Sequence, residues 1–350
     1  MDSYFGKSLT SHVKDKVLIG ANEKRKYTFA EGDLVQISPT SKRPETGWLA
    51  RKGEVGVVNK IITLDNKKMV YVKFPRYMIH MTVENFVHIE DIDRENLLVQ
   101  ANLANAANRI DDCLGYVESL CVPQGYDFNR EERRIYSIAY KKVFNGYRKS
   151  LKQLLSTAEL SLAQRNSDIG KKKTYANFVF NKVEEFSKMV EEAIFLIEKV
   201  LLPNCHRTHN TVNIVFFYKC KGDFLRYLLH FKSGEPKNKL IRRSDKAYVY
   251  GYRIAQKGEM GLAEPLIPSH PMRLAISLNY SVYLYTVKKE RRRAAGHCKQ
   301  AFDAAVAWVD RLSEDNYADA THLMKQMRDN LNNWLGQDLS SLITFSITGN

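Results

Sequence analysis

From about residue 95 to the end of the chain, apolar side chains return at three- and four-residue steps. Leu97, Val99, Leu103, Ala107 and Ile110 set the pattern, which is the stripe of an amphipathic helix. The same periodicity predicts helices over about 130–163, 172–202, 212–231, 244–258, 271–289, 294–311 and 315–335, after a first pair of short ones. Asn129 stands three residues before Glu132, the spacing of a capping box, and marks the start of the first long helix. Breakers separate the helices: Cys121 to Gly125, Pro203-Asn204, Gly234 to Pro236, and Gly261 to Pro268. About nine helices with no strand signal among them point to an antiparallel bundle.

Upstream the period changes. Leu34 to Ile37, Gly53 to Val58, Met69 to Phe74 and Phe86 to Ile89 are β-branched or aromatic runs. Turn signals lie between them at Glu31-Gly32-Asp33, Arg51-Lys52-Gly53 and Asp65 to Lys68. Four or five short strands in so short a stretch predict a small antiparallel barrel. Glu31-Gly32-Asp33-Leu34-Val35 and Gly53-Glu54-Val55-Gly56-Val57-Val58 resemble the opening strands of an SH3-like barrel of the KOW or Tudor kind. The predicted organisation is a polar, basic arm over 1–27, a barrel over 28–94, a helical domain over 95–338 and a short tail over 339–350.

Composition narrows the function. At 350 residues with 44% hydrophobic content, the chain has material for two folded domains. No run of about 18 apolar residues predicts a membrane span, and the first residues lack a secretory signal pattern. Five widely spaced cysteines form no Cys-x-x-Cys pair, so a reducing compartment without disulfides is expected, the cytoplasm with the nucleus or another reducing intracellular compartment as the alternative. None of the common nucleotide-binding, hydrolase, metalloprotease or kinase motifs occurs, so no enzyme and no cofactor is expected. Cys205-His206-Arg207-Thr208-His209 has too few ligands for a metal and reads as a polar loop.

The net charge is +15, and it is uneven. Residues 1–95 carry 16 basic and 13 acidic residues, whereas 96–350 carry 38 and 26. A basic helical region favours anionic partners. A phosphate monoester, with nearly two negative charges, needs several cationic donors on a rigid support. Lys141 and Arg148 are seven residues apart, on one face of a predicted helix. The segment Lys221-Gly222-Asp223-Phe224-Leu225-Arg226-Tyr227-Leu228 supplies an adjacent Arg and Tyr on another.

One long region carries a family resemblance. His270-Pro271-Met272-Arg273-Leu274, Leu278 to Val282, Ala301 to Ala305, Leu312 to Tyr317 and Arg328 to Leu331 follow in the order and at the separations of the last three helices of 14-3-3 proteins. The resemblance spans residues 97–336 and implies a non-enzymatic, all-helical adaptor for phosphoserine or phosphothreonine segments. It assigns the phosphate pocket to Lys141, Arg148, Arg226 and Tyr227. Asn279 and Asn330 would grip the peptide backbone, Val282 and Trp334 would form the apolar wall with a backbone contact, and Lys152 and Lys219 would line the groove. Lys152 replaces the usual Arg. Thr286 stands where a glutamate orients the pocket lysine, and Gln326 replaces an apolar groove residue, so the resemblance leaves peptide preference open.

Such proteins dimerise through their first helices. Leu103 and Ala107 match apolar interface positions, and Arg109 and Glu185 match an intersubunit ion pair. Asp112 matches an acid whose usual lysine is here Asn181, and Phe178 replaces a Tyr. The resemblance therefore implies a homo- or heterodimer. The basic charge is unlike the family, and an alternative stands beside the adaptor: an RNA-binding scaffold that uses Lys171 to Lys173, Lys237 to Arg243, Lys288 to Arg293 and barrel aromatics Trp48, Tyr71 and Tyr77.

Overall fold

The computed structural model describes residues 29–31, 34–37, 55–64, 67–73, 78–82, 86–88, 94–121, 127–163, 169–259 and 263–347. The arm over 1–27, Trp48 and Tyr77 lie outside the described residues. The chain divides into two compact units, residues 1–124 with 130–143 and residues 125–129 with 144–350.

The first unit opens with a sheet of five strands: β1 (Leu34–Ile37), β2 (Val55–Leu64), β3 (Lys67–Lys73), β4 (Met78–Thr82) and β5 (Phe86–His88). Their order is β4-β3-β2-β1-β5, and every neighbouring pair is antiparallel. Val70 and Val72, two residues apart on β3, face the same side and are fully buried, as are Val35 and Val58. The register slips between Val58 and Lys60, a bulge that bends β2. The hydrophobic pattern alone does not identify β4, because Met78-Ile79-His80-Met81-Thr82 does not alternate; its pairing with β3 from Met78↔Lys73 to Thr82↔Met69 determines it.

Helices follow: α1 (Arg94–Ala106), α2 (Ile110–Leu120) and α3 (Arg130–Ala163), the last passing from the first unit into the second. Arg94 joins the first three. Its guanidinium donates to the Leu120 carbonyl at 2.8 Å and to the buried Glu132 carboxylate at 2.6 Å. α3 starts directly after Asn129, as the capping-box spacing predicts.

The second unit holds the rest of α3 and six further helices. Ile169–Leu196 continues through a π turn, Ile197–Leu201, into Leu202–Arg207, and this run is α4. Then come α5 (Thr211–Leu228), α6 (Gly234–Lys257), α7 (Pro271–Tyr283, extended by a π turn, Leu284–Lys288), α8 (Arg291–Val306) and α9 (Glu314–Ile347). Among the described residues this makes nine helices. α5 packs on α6 and α7, and α8 and α9 pack on α7 and on each other. Phe144 meets Phe186 and Phe224 edge-on at 5.6 and 4.9 Å, which ties α3 to α4 and α5.

Four sequence expectations change. Pro203-Asn204 does not break the chain, because the π turn just before it accommodates the missing N–H, and the helix runs on to Arg207. Cys205 and His206 therefore lie on a helix rather than in a loop, with Cys205 buried. Gly234 and Pro236 open α6 instead of preceding it by ten residues. Gly234 takes φ +58°, and a proline in the first turn displaces no helical bond. α9 runs through Ile347, over most of the stretch read as a tail.

Candidate functional site

Helix α5 carries the centre of the site. Lys219, Asp223 and Arg226 follow at four- and three-residue steps on one face. Asp223 is buried, and both its oxygens are occupied. Oδ2 accepts from Lys219 Nζ at 2.9 Å and from Asn279 Nδ2 at 2.7 Å. Oδ1 accepts from the Tyr248 hydroxyl at 2.6 Å, Asn279 Nδ2 at 3.0 Å and Arg226 Nη2 at 3.2 Å. The Arg226 Nε donates to the Tyr248 hydroxyl at 3.2 Å. One carboxylate thus joins α5, α6 and α7.

A close approach makes this possible. A Cβ built on Gly222 would lie 2.8 Å from the Tyr248 ring, so only glycine lets the ring rest on the α5 backbone. Ser244 donates to the Gly222 carbonyl at 3.0 Å across the same junction. Neither Gly222, Asp223 nor Tyr248 stands out in the sequence as a site residue. The signal was the opposite-charge spacing Lys219, Asp223, Arg226 inside an apolar helix, a pattern that asks for a buried acid between two cations.

Burial alone would raise the Asp223 carboxyl, but the Lys219 and Arg226 cations and the Tyr248 hydroxyl outweigh it and hold it at about 2. Burial opposes the charge on Lys219 and Arg226, and it loses there to Asp223 and, for Arg226, to Tyr248 and Asp223, so both are held cationic. Burial pushes the Tyr248 phenol up, so it stays a donor.

Arg148 joins from α3. Its guanidinium lies 4.7 Å from the centre of the Tyr227 ring, with that of Arg226 at 5.3 Å. Arg148 Nη1 donates to Asn145 at 3.1 Å, and its buried Nε meets no hydrogen-bond partner among the described residues. Burial and the neighbouring Arg226 disfavour its charge. Two cations, Lys219 and Arg226, pair with the single carboxylate of Asp223, and Arg148, over the Tyr227 ring, adds a third. The excess of two positive charges matches the charge of a phosphate monoester.

The structure thus brings five expected residues into one network: Arg148, Lys219, Arg226, Tyr227 and Asn279. Lys152 is exposed on α3 one turn beyond Arg148. Val282 is half-buried one turn after Asn279. Trp334 on α9 is buried and stacks on Tyr285 of α7 at 4.7 Å, and half-buried Asn330 lies one turn before it. Thr286 bonds back to the Val282 carbonyl at 2.7 Å, and Gln326 contacts His322 at 2.6 Å. Lys141 is exposed on α3, two turns before Arg148, and belongs to the first unit.

Residues expected at a dimer interface are exposed or paired locally. In the first unit Leu103 is 64% exposed, Ala107 is exposed, and Arg109 pairs with Asp112. In the second unit Phe178 is 49% exposed, and Glu185 accepts from Tyr147 and Lys182, each at 2.7 Å. Among the described residues no metal-holding cluster occurs, and no helix is long and apolar enough to cross a membrane.

Comparison with known proteins agrees with the helical architecture. A family model described as 14-3-3 protein matches residues 100–335. 14-3-3 protein eta of Homo sapiens is 35% identical over 244 residues, covering 69% of this chain and 94% of the relative. 14-3-3 protein eta of Mus musculus matches to the same extent, and 14-3-3 protein beta/alpha of Pongo abelii is 33% identical over 248 residues, covering 71% and 94%. The matched region holds all nine described helices except the first turns of α1 and the end of α9, and with them the whole Asp223 network, and the chain belongs to the 14-3-3 family.

Proposed function

We propose that the protein is an adaptor that captures phosphoserine or phosphothreonine segments of client proteins at the Asp223 network. The observation that carries this reading is the doubly positive excess on a rigid support. Arg226 is held by Asp223 and Tyr248, and Arg148 is stacked on Tyr227, so both forks meet a ligand without first losing side-chain freedom. Lys141 is proposed as a fourth phosphate-binding residue on the resemblance alone.

Asn279 and Asn330 would hold the backbone of an extended peptide, with Lys152, Lys219, Val282 and Trp334 along the groove. The amide nitrogen of Asn279 is committed to Asp223, so its oxygen is the group offered to a peptide N–H. Two copies would pair through α1 and α4, giving two sites for one client or two. The five-stranded sheet, read as the SH3-like barrel, would add a second contact. A cytoplasmic location fits this role.

The test is calorimetric titration with an Arg-rich phosphoserine peptide before and after phosphatase treatment. Binding that disappears on dephosphorylation supports the adaptor. Binding that survives it and falls steeply with salt points instead to general polyanion affinity.

A further inference from the structure

We propose that the groove between α7 and α9 selects phosphorylated segments whose residues beside the phosphoresidue carry amide or hydroxyl side chains, because His322, Gln326, Asn330 and Asn333 make its α9 wall a ladder of hydrogen-bonding groups. The inference rests on the phosphopeptide reading above and names the class of client that the site takes.

Two contacts fix how α7 and α9 lie. Tyr285 on α7 stacks on Trp334 of α9 at 4.7 Å. Four residues before Tyr285, Ser281 hydrogen-bonds Cys298 of α8, whose thiol reaches the Met327 carbonyl at 3.7 Å, seven residues before Trp334. The two helices therefore run side by side in the same direction. Asn279 lies six residues before Tyr285 and Gln326 eight before Trp334, which at the helical rise is about 9 and about 12 Å back along the two axes. Asn279, held by Asp223, is thus level with the stretch from Gln326 to Asn330.

The helical repeat sets which flanks line the groove. Stepping from Tyr285 to Val282, Thr286 and Asn279 turns about the α7 axis by about +60°, +100° and +120°. Stepping from Trp334 to Asn330, Gln326 and His322 turns about the α9 axis by about −40°, −80° and −120°, and Asn333 falls within that arc. In parallel neighbours, turns of opposite sense open on the same side. The two sets are therefore the walls of one groove, with the Tyr285 and Trp334 rings as its floor.

The α7 wall carries one aliphatic side chain, half-buried Val282. The α9 set carries none. His322, Gln326 and Asn333 are exposed, and Asn330 is half-buried. Gln326 Nε2 lies 2.6 Å from His322 Nε2, so the pair holds the amide in place while its oxygen stays open to a ligand. Asn330 and Asn333 each offer a donor and an acceptor. An aliphatic client side chain laid on this wall strips water from these groups and returns no hydrogen bond. An amide or hydroxyl replaces the lost water bond directly.

The test uses fluorescence anisotropy of two labelled phosphoserine peptides of equal length and charge, one with Gln and one with Leu at the two positions on each side of the phosphoserine. Each is also measured unphosphorylated. The proteins are the wild-type chain, the His322→Ala, Gln326→Ala double variant and the His322→Leu, Gln326→Leu double variant. Wild type should favour the Gln phosphopeptide by about threefold to tenfold, the effect of one net hydrogen bond. The alanine variant should lose this preference and the leucine variant should reverse it, while all three proteins still select the phosphorylated forms. A wild type that binds both phosphopeptides alike or favours Leu, or variants that keep the wild-type preference, overturns the role of the α9 wall and leaves the phosphopeptide reading standing. A wild type that ignores phosphorylation overturns that reading, and this inference with it. Both substituted residues are exposed on α9, so the variants keep the fold.

Discussion

The hydroxyl of Tyr248 donates to Asp223 Oδ1 at 2.6 Å and accepts from Arg226 Nε at 3.2 Å, so one phenol holds both members of an ion pair. The pair is therefore an oriented unit, fixed from α6, rather than two charges attracting each other on a helix surface.

Replacing Asp223 by Asn leaves Lys219 and Arg226 largely buried without their counter-charge. Breaking such a pair should cost about 3–5 kcal/mol. Chemical denaturation of Asp223→Asn checks this. A loss similar in size to that of an exposed pair, roughly 0.5 kcal/mol, would show that the network contributes little to the fold.

Gly222→Ala probes the same junction from the backbone. The new methyl would stand 2.8 Å from the Tyr248 ring, which is itself fully buried and has no room to retreat. The expected result is a destabilisation of about 1–3 kcal/mol, the range for overpacking, together with weaker phosphopeptide binding as the phenol leaves Asp223. Unchanged melting would mean that α5 and α6 separate without cost.

Acid should destabilise the second unit in two stages. Burial, with Arg293 nearby, pushes His297 down to about 4 from its ordinary 6.5, and its Nε2 is buried without a partner among Tyr252 and Tyr280. The unfolded chain takes up that proton first. Stability from His297 is therefore complete above about pH 6.5 and is lost as pH falls toward about 4, by roughly 1–3 kcal/mol. Asp223, held at about 2 against an ordinary 3.8, keeps its contribution above about pH 4 and loses it between about 4 and 2. His297→Phe should abolish the first stage and leave the second. A melting profile of that variant identical to wild type between pH 4 and 6.5 would contradict the assignment.

Much of this architecture is legible in the sequence because helix periodicity is local. The register of α3 and the Arg226-Tyr227 pair follow from spacing within single helices. What the pattern misses depends on neighbours. The partners of Asp223 on α6 and α7 come only with the packing of those helices, and Tyr248 becomes a site residue only because Gly222, 26 residues earlier, leaves room for its ring. β4 is set by its pairing with β3. Pro203 reads as a breaker because periodicity carries no sign of a π turn.

Apolar exposure on α1 gives a prediction about assembly. Val99 and Leu103, four residues apart, are both more than half exposed. Leu103→Glu should convert a dimer to monomer in sedimentation at micromolar protein while leaving the melting of each chain almost unchanged. A wild-type chain that sediments only as monomer would remove the dimer from this account.

The central claim is that Arg148 and Arg226 capture a phosphate. It is tested most directly by anisotropy of a labelled phosphoserine peptide and its unphosphorylated twin against wild type and the Arg148→Ala, Arg226→Ala double variant. Wild type should bind only the phosphorylated peptide, and the double variant should lose at least about a hundredfold in affinity, two charge-assisted contacts at about 1.5–3 kcal/mol each. Equal binding of both peptides, or an unaffected double variant, would contradict the account.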